Sequence, residues 1–239
     1  MQPSEPARQP MSRRHVLVLV GLGALLVYLL VRREILGENE LIFFAVLFPS
    51  VILHEVSHGA LALAFGDDTA KQAGRLTLNP VPHIDPFGTV ILPALLLVTT
   101  GSAFGWAKPV PVDPSRLDHP RNQTVLVSLV GPAVNIAVAV AAALLVRLVQ
   151  VHPDDSLLIR TVLYLGLVNV VLAAFNLLPI PPLDGSAVVE RFLPDRLWPG
   201  YLRFRKYSIF VLLGLVLLVP GALSRVFDPV IGLWQRLLG

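Results

Sequence analysis

With 239 residues, 54% hydrophobic and 15% charged, and a mean hydropathy of +0.70, the chain is too apolar for an ordinary soluble domain and reads as a polytopic membrane protein. It has no cysteine, which excludes disulfides and thiolate ligands, so any bound metal must be held by imidazole and carboxylate. The net charge of +3 reflects arginines that flank apolar runs; no basic cluster is interleaved with aromatics, and nucleic acid is not an expected partner.

Residues 1–14 (MQPSEPARQPMSRR) are polar and contain prolines, and are expected to form a disordered tail. His15–Val31 is an apolar run closed by Arg32-Arg33. No small-residue cleavage site follows it, so a retained transmembrane helix is expected rather than a signal peptide.

Leu41–Phe65 (LIFFAVLFPSVILHEVSHGALALAF) is long, apolar and free of Lys and Arg, yet carries His54, Glu55 and His58 in its middle. Ionisable groups at membrane depth are costly and point to function. Histidines at i and i+4 share one face of a helix and can reach a single ion. Glu55, beside the first histidine, can face a water at that ion and act as general base. The competing reading is a chance HExxH, which insertion into lipid disfavours.

Gly66-Asp67-Asp68 ends that helix. In Gly74–Pro80 the alternation of Leu76 and Leu78 predicts a short strand stopped by Pro80. His83–Gly101 is apolar but contains Pro86, Gly88 and Pro93. Phe104–Val112 (FGWAKPVPV) is punctuated by prolines and is expected to be extended. Both extended stretches are candidates to hold an unwound substrate by strand addition, with Leu76, Asn79 and Val110 as substrate-binding residues; plain loops are the alternative. His83 is read as an interfacial histidine, with a gating or ligand-supporting role as the alternative.

Asn122–Val149 and Leu157–Leu178 are two further apolar helices. The first carries Gly131-Pro132-Ala133-Val134-Asn135; the second runs into Asn176-Leu177-Leu178-Pro179-Ile180-Pro181-Pro182-Leu183-Asp184-Gly185. The prolines stop that helix and present Asp184 just beyond it. A catalytic zinc takes three protein ligands and a water, so Asp184 is the best candidate to join His54 and His58. After basic Arg191–Lys206, Tyr207–Val219 with its neighbours predicts a last span. In the tail, Phe227, Val230, Ile231, Trp234 and Leu238 recur at helical spacing, which suits an interfacial amphipathic helix or packing on the bundle.

His54-Glu55-Val56-Ser57-His58, Gly131-Pro132-Ala133-Val134-Asn135 and the Asn176–Gly185 stretch, in this order, resemble the three motifs of the site-2 protease family of intramembrane zinc metalloproteases. The similarity covers roughly residues 40–190, and the GRLTLNP and FGWAKPVPV stretches resemble the compact bacterial branch without PDZ or CBS domains. The resemblance implies one zinc per chain on His54, His58 and Asp184, with Glu55 as catalytic base. It also implies that Asn135 helps to position substrate or to stabilise the tetrahedral intermediate. A side-chain amide can donate to a developing oxyanion, although helix–helix hydrogen bonding is its bland alternative. A transmembrane protein substrate and the lipid bilayer are the implied partners. A membrane zinc-binding protein or transporter without peptidase activity is the rival reading; it would keep the histidines and not need Glu55.

The expected architecture is an all-α polytopic membrane protein of five to six transmembrane helices with a short re-entrant or β-like segment near the active site. A membrane-embedded peptidase domain over 15–223 is followed by an amphipathic tail over 224–239. One zinc requires its ligands at one depth, so the helix of His58 and the helix leading to Asp184 should run parallel, and 83–101 should re-enter, turning near Pro93. With re-entry, thirteen of the 19 Lys and Arg fall on one side, which the positive-inside rule makes cytoplasmic. That gives five crossings of the cell membrane, an inside N-terminus, an outside C-terminus and a zinc toward the cytoplasm.

Overall fold

A computed structural model describes residues 21, 32, 37–85, 88–89, 107–149, 156–218, 221 and 224–239. Three helices in it are long and apolar enough to cross a membrane: α1 (Glu38–Ala64), α3 (Pro120–Val149) and α4 (Leu157–Asn176). The short α2 (Thr69–Gln72) follows α1, and α5 (Ser186–Phe192), α6 (Trp198–Leu218) and α7 (Ser224–Gln235) complete the described chain. The first predicted span and most of 83–101 lie outside the described residues. Helix α6 carries Arg203, Arg205 and Lys206 in its first half, which leaves it short of an apolar span among the described residues.

α1, α3 and α4 pack against one another. Small residues line the contacts, with Ala139 and Ala143 of α3 set against Val170 of α4. Large apolar side chains such as Leu148, Leu158 and Phe210 point outward, as a lipid solvent allows. The amphipathic α7 closes one flank: Trp234 is buried, its indole N–H donates to Ala139 O at 2.8 Å, and its ring lies where Gly166 has no side chain.

Helix directions follow from paired contacts. Glu38 meets Arg160 at 2.5 Å, Ser50 meets Asn169 at 2.8 Å, and His54 meets Asp184 at 3.0 Å, so α1 and α4 run parallel. His58 pairs with Val127 and His54 with Asn135, so α3 runs against α1. The Asp118 N–H donates to Phe65 O at 3.1 Å; the chain between them therefore returns to the end of α1 that it left.

That return is organised by Asp67. Gly66, at φ +98, takes the left-handed turn that ends α1. The fully buried Asp67 carboxylate then accepts from the Thr69 N–H (3.0 Å), the Thr69 hydroxyl (2.5 Å) and the Asp113 N–H (2.7 Å). It thus joins the start of α2 to the Pro-rich segment 107–113.

The strand expected at Gly74–Pro80 does not form; these residues make a chain of bends, and the described residues contain no strand. Local side-chain bonds take the place of a ladder. Thr77 Oγ1 accepts from the Asn79 N–H at 3.1 Å, Asn79 Oδ1 accepts from the Val81 N–H at 3.1 Å, and the buried Arg75 guanidinium donates to Pro82 O. Residues 107–113 are neither helix nor ladder, and their amides are spent on three separate partners: Lys108 N on His83 O, Val110 N on Glu55, and Asp113 N on Asp67. His83 is buried in the protein, with Nε2 at 2.9 Å from Thr77 O.

Burial works to raise the Asp67 pKa, but the hydrogen bonds from Thr69 and Asp113 and the charge of Arg116 outweigh it and hold the carboxyl below its ordinary 3.8. A depressed folded pKa gives stability that is present above the unfolded value and lost as pH falls through the folded one. Asp67→Asn is therefore expected to cost about 1–3 kcal/mol at neutral pH, with the gap to wild type closing as pH drops below about 4. Thermal unfolding in detergent at pH 7 and pH 3 checks this; a gap that does not narrow contradicts it.

Candidate metal centre

The i, i+4 spacing places His54 and His58 on one face of α1, with ring centroids 4.7 Å apart. Both imidazoles are buried. Asp184 reaches them because the chain folds back after α4: the Gly185 N–H donates to Asn176 O at 2.7 Å and closes the Pro-rich loop. Gly185 is required there, since a Cβ would strike the backbone carbonyls of Leu177 and Leu178. Asp184 Oδ2 then lies 3.0 Å from His54 Nε2 and 3.5 Å from His58 Nε2.

Each ring is oriented through its other nitrogen. His58 Nδ1 lies 2.6 Å from Val127 O, a group that only accepts, so Nδ1 carries the proton. His54 Nδ1 lies 2.7 Å from Asn135 Oδ1. Both Nε2 lone pairs in neutral rings therefore face Asp184 Oδ2, which is buried and makes no hydrogen bond. The three donor atoms lie within 4.8 Å of one another. Electron-pair donors so placed repel unless a proton or a metal cation lies among them, and two imidazoles with a carboxylate suit zinc with a fourth position open. The residues present fit that ion.

α3 can come this close only because of its sequence. Gly131 stands where a Cβ would lie 2.5 Å from His58 Nε2 and 2.6 Å from His54 Cε1. Asn135, one turn on along the same face, supplies the acceptor for His54. Its own Nδ2 donates to Asn169 Oδ1 at 3.0 Å, so both ends of the carboxamide are engaged.

Glu55 is half-buried and close enough to His58 to act on it electrostatically. Its Oε2 accepts from the Val110 N–H at 2.8 Å. Arg75, buried in the loop after α2, interacts electrostatically with the same carboxylate. Leu76 and Val110 converge on Gly59, where an added Cβ would lie 2.7 Å from the first and 2.8 Å from the second. Asn79 is exposed and capped within its own turn. Arg75, Ser50, Asn169 and the Val127 carbonyl join the candidate site without having been singled out in the sequence; the polar Asn169 inside an apolar span was the one available signal.

This donor set, enclosed by apolar helices, defines a metal-dependent membrane protein. The family model described as Peptidase family M50 matches residues 146–219. The Bacillus subtilis protein named "Putative zinc metalloprotease YwhC" is 38% identical over 192 residues, which covers 77% of this chain and 83% of that protein. "Putative zinc metalloprotease Rip2" of Mycolicibacterium smegmatis is 32% identical over 178 residues, 74% of this chain and 66% of its own length. "Zinc metalloprotease MJ0392" of Methanocaldococcus jannaschii is 24% identical over 192 residues, and the chain spans only 45% of it. No solved structure matches the chain. The chain belongs to peptidase family M50, the site-2 proteases, and is a zinc metalloprotease.

Gly131→Ala drives a methyl group into both imidazoles. We expect it to weaken zinc binding about 5- to 150-fold, in line with overpacking costs of about 1–3 kcal/mol. Metal content of the purified variant after dialysis against a weak chelator checks this, and wild-type zinc retention contradicts it.

Proposed function

We propose that this zinc metalloprotease hydrolyses a peptide bond within or beside a transmembrane segment of a protein substrate, in the manner of regulated intramembrane proteolysis. The observation that carries the reading is the convergence of His54, His58 and Asp184 inside a bundle of apolar helices, with the Glu55 carboxylate on the next residue.

His54, His58 and Asp184 would hold the zinc, which bound there would supply an acidified water and polarisation of the scissile carbonyl. Glu55 takes the proton of the attacking water and returns it to the leaving amine. The Val110 N–H holds the Glu55 carboxylate in one orientation, and the Arg75 guanidinium interacts electrostatically with it. Asn135 serves chiefly to orient His54, since its N–H₂ group is bonded to Asn169 and would have to leave that partner to meet an oxyanion.

A substrate helix must unwind before it can be cut, and the 107–113 segment is where an unwound strand would dock. Across 108–111 no backbone donor is left: Lys108 and Val110 have spent theirs, and Pro109 and Pro111 have none. A docking strand would therefore supply the N–H groups and the segment the carbonyls. Leu76 and Val110 contribute by seating this segment on Gly59 beside Glu55, and Asn79 lies on the exposed turn that borders it. With 83–101 re-entering, the excess of Lys and Arg on one side supports a centre toward the cytoplasmic face of the cell membrane.

Glu55→Gln keeps shape and polarity but cannot take a proton. It is expected to retain one zinc and to cut a generic transmembrane reporter about 10²- to 10⁴-fold more slowly than wild type. Zinc analysis and reporter cleavage on detergent-purified protein check this. Equal cleavage by the two proteins contradicts the peptidase mechanism, and zinc binding with no cleavage by either favours a metal-binding role alone.

A further inference from the structure

Asn169 sits in the middle of α4 among Leu, Val and Ala (LGLVNVVLAA), and the fold leaves it 1% exposed. The hydrolytic mechanism gives it nothing to do. Its Nδ2 lies 2.8 Å from Leu165 O and 2.8 Å from Ser50 Oγ, and its Oδ1 lies 3.0 Å from Asn135 Nδ2. Asn135 Oδ1 lies 2.7 Å from His54 Nδ1. Ser50, Asn169, Asn135 and His54, all buried, thus form an unbroken hydrogen-bonded line from α1 through α4 and α3 back to α1.

The line has a forced direction, set at its far end. The Ser50 hydroxyl donates to Val46 O at 2.7 Å, so its one proton is spent and it can only accept from Asn169. Leu165 O also only accepts. The Asn169 group facing both must therefore be its N–H₂, which turns Oδ1 toward Asn135. The Asn135 group facing that oxygen must be its N–H₂, which turns its own oxygen toward His54. His54 Nδ1 then has to carry the proton, and the lone pair is left on Nε2, the atom 3.0 Å from Asp184. Two backbone carbonyls, at Val46 and Leu165, thereby set the tautomer of an imidazole two side chains away.

We propose that Asn169 is a positioning residue for the metal centre: with Ser50 and the Leu165 carbonyl it fixes the orientation of Asn135 and holds His54 in the tautomer that can bind zinc. The proposal rests on the reading of His54, His58 and Asp184 as ligands. Without Asn169 the Asn135 carboxamide is free to rotate, and its N–H₂ can face His54 Nδ1, moving the proton to Nε2 and blocking the ligand atom. Partners that orient a metal-binding histidine are commonly worth about 10- to 100-fold in metal affinity. A buried amide that only stitched helices together would change stability and leave zinc affinity alone.

The test is zinc affinity, by competition with a chromophoric chelator, for wild type, Asn169→Leu and the double variant Asn135→Asp/Asn169→Leu in detergent. Asn169→Leu is expected to bind zinc about 10- to 100-fold more weakly. The double variant is expected to recover most of the loss, because a carboxylate accepts from His54 Nδ1 with either oxygen. Wild-type affinity in Asn169→Leu, or a loss that the double variant does not recover, overturns the proposal. If Asn169→Leu does not fold, Asn169→Ala, which also removes the partner of the Asn135 N–H₂, is measured in its place; it is expected to bind zinc about 10- to 100-fold more weakly, and wild-type affinity there overturns the proposal equally. A wild type that binds zinc no better than His54→Ala would instead remove the ligand assignment beneath it.

Discussion

His54 Nε2, His58 Nε2 and Asp184 Oδ2 face one another across a few ångströms, with the imidazole protons held on the far nitrogens. Such a cluster of lone pairs and negative charge in an apolar bundle needs a proton or a metal cation among its members. Much of the packing follows from keeping it assembled. α1 must bring its two histidines alongside the end of α4, which requires parallel helices, and α3 must cross between their partners in the opposite sense. The chain meets this by returning at Asp118 to the end of α1 that it left at Phe65, and with a tight Pro-rich turn that brings Asp184 back beneath α4.

Close approach is secured by absent side chains and by polar bonds in equal measure. Gly131 clears space for the imidazoles, Gly59 receives Leu76 and Val110, and Gly185 lets the Asp184 loop close on the end of α4. Where bulk is removed, hydrogen bonds fix position: Val127 O on His58, Asn135 on His54, and the Val110 N–H on Glu55. In hydrocarbon there is no hydrophobic force between helices to do this work, so small residues and buried polar contacts carry it. The segment that holds the Glu55 carboxylate is itself tied to the end of α1 through Asp67.

Features set by local spacing were legible in the sequence. HExxH puts two histidines and a glutamate on one helical turn whatever surrounds them, and the proline-rich break after Leu157–Leu178 advertises Asp184, which the structure brings to the histidines. The need for one depth at the metal also led correctly to parallel helices for His58 and Asp184. Features set by how helices rotate against one another were not legible. Asn135 lies 81 residues from His54 and 34 from Asn169, and only the packed bundle shows that its two ends are taken. Alternation at Leu76 and Leu78 resembled a strand because period alone does not reveal that Thr77, Asn79 and Arg75 spend their side chains on the local backbone. The first predicted span and most of 83–101 lie outside the described residues.

The most direct test of the account is zinc K-edge X-ray absorption on the purified protein. The structure predicts two nitrogen ligands at about 2.0–2.1 Å and one or two oxygen ligands at about 2.0–2.2 Å, with one nitrogen shell contribution lost in His58→Ala. A protein that holds no zinc, or a shell unchanged by that substitution, would mean that His54, His58 and Asp184 converge for some reason other than metal, and the functional reading built on them would fall.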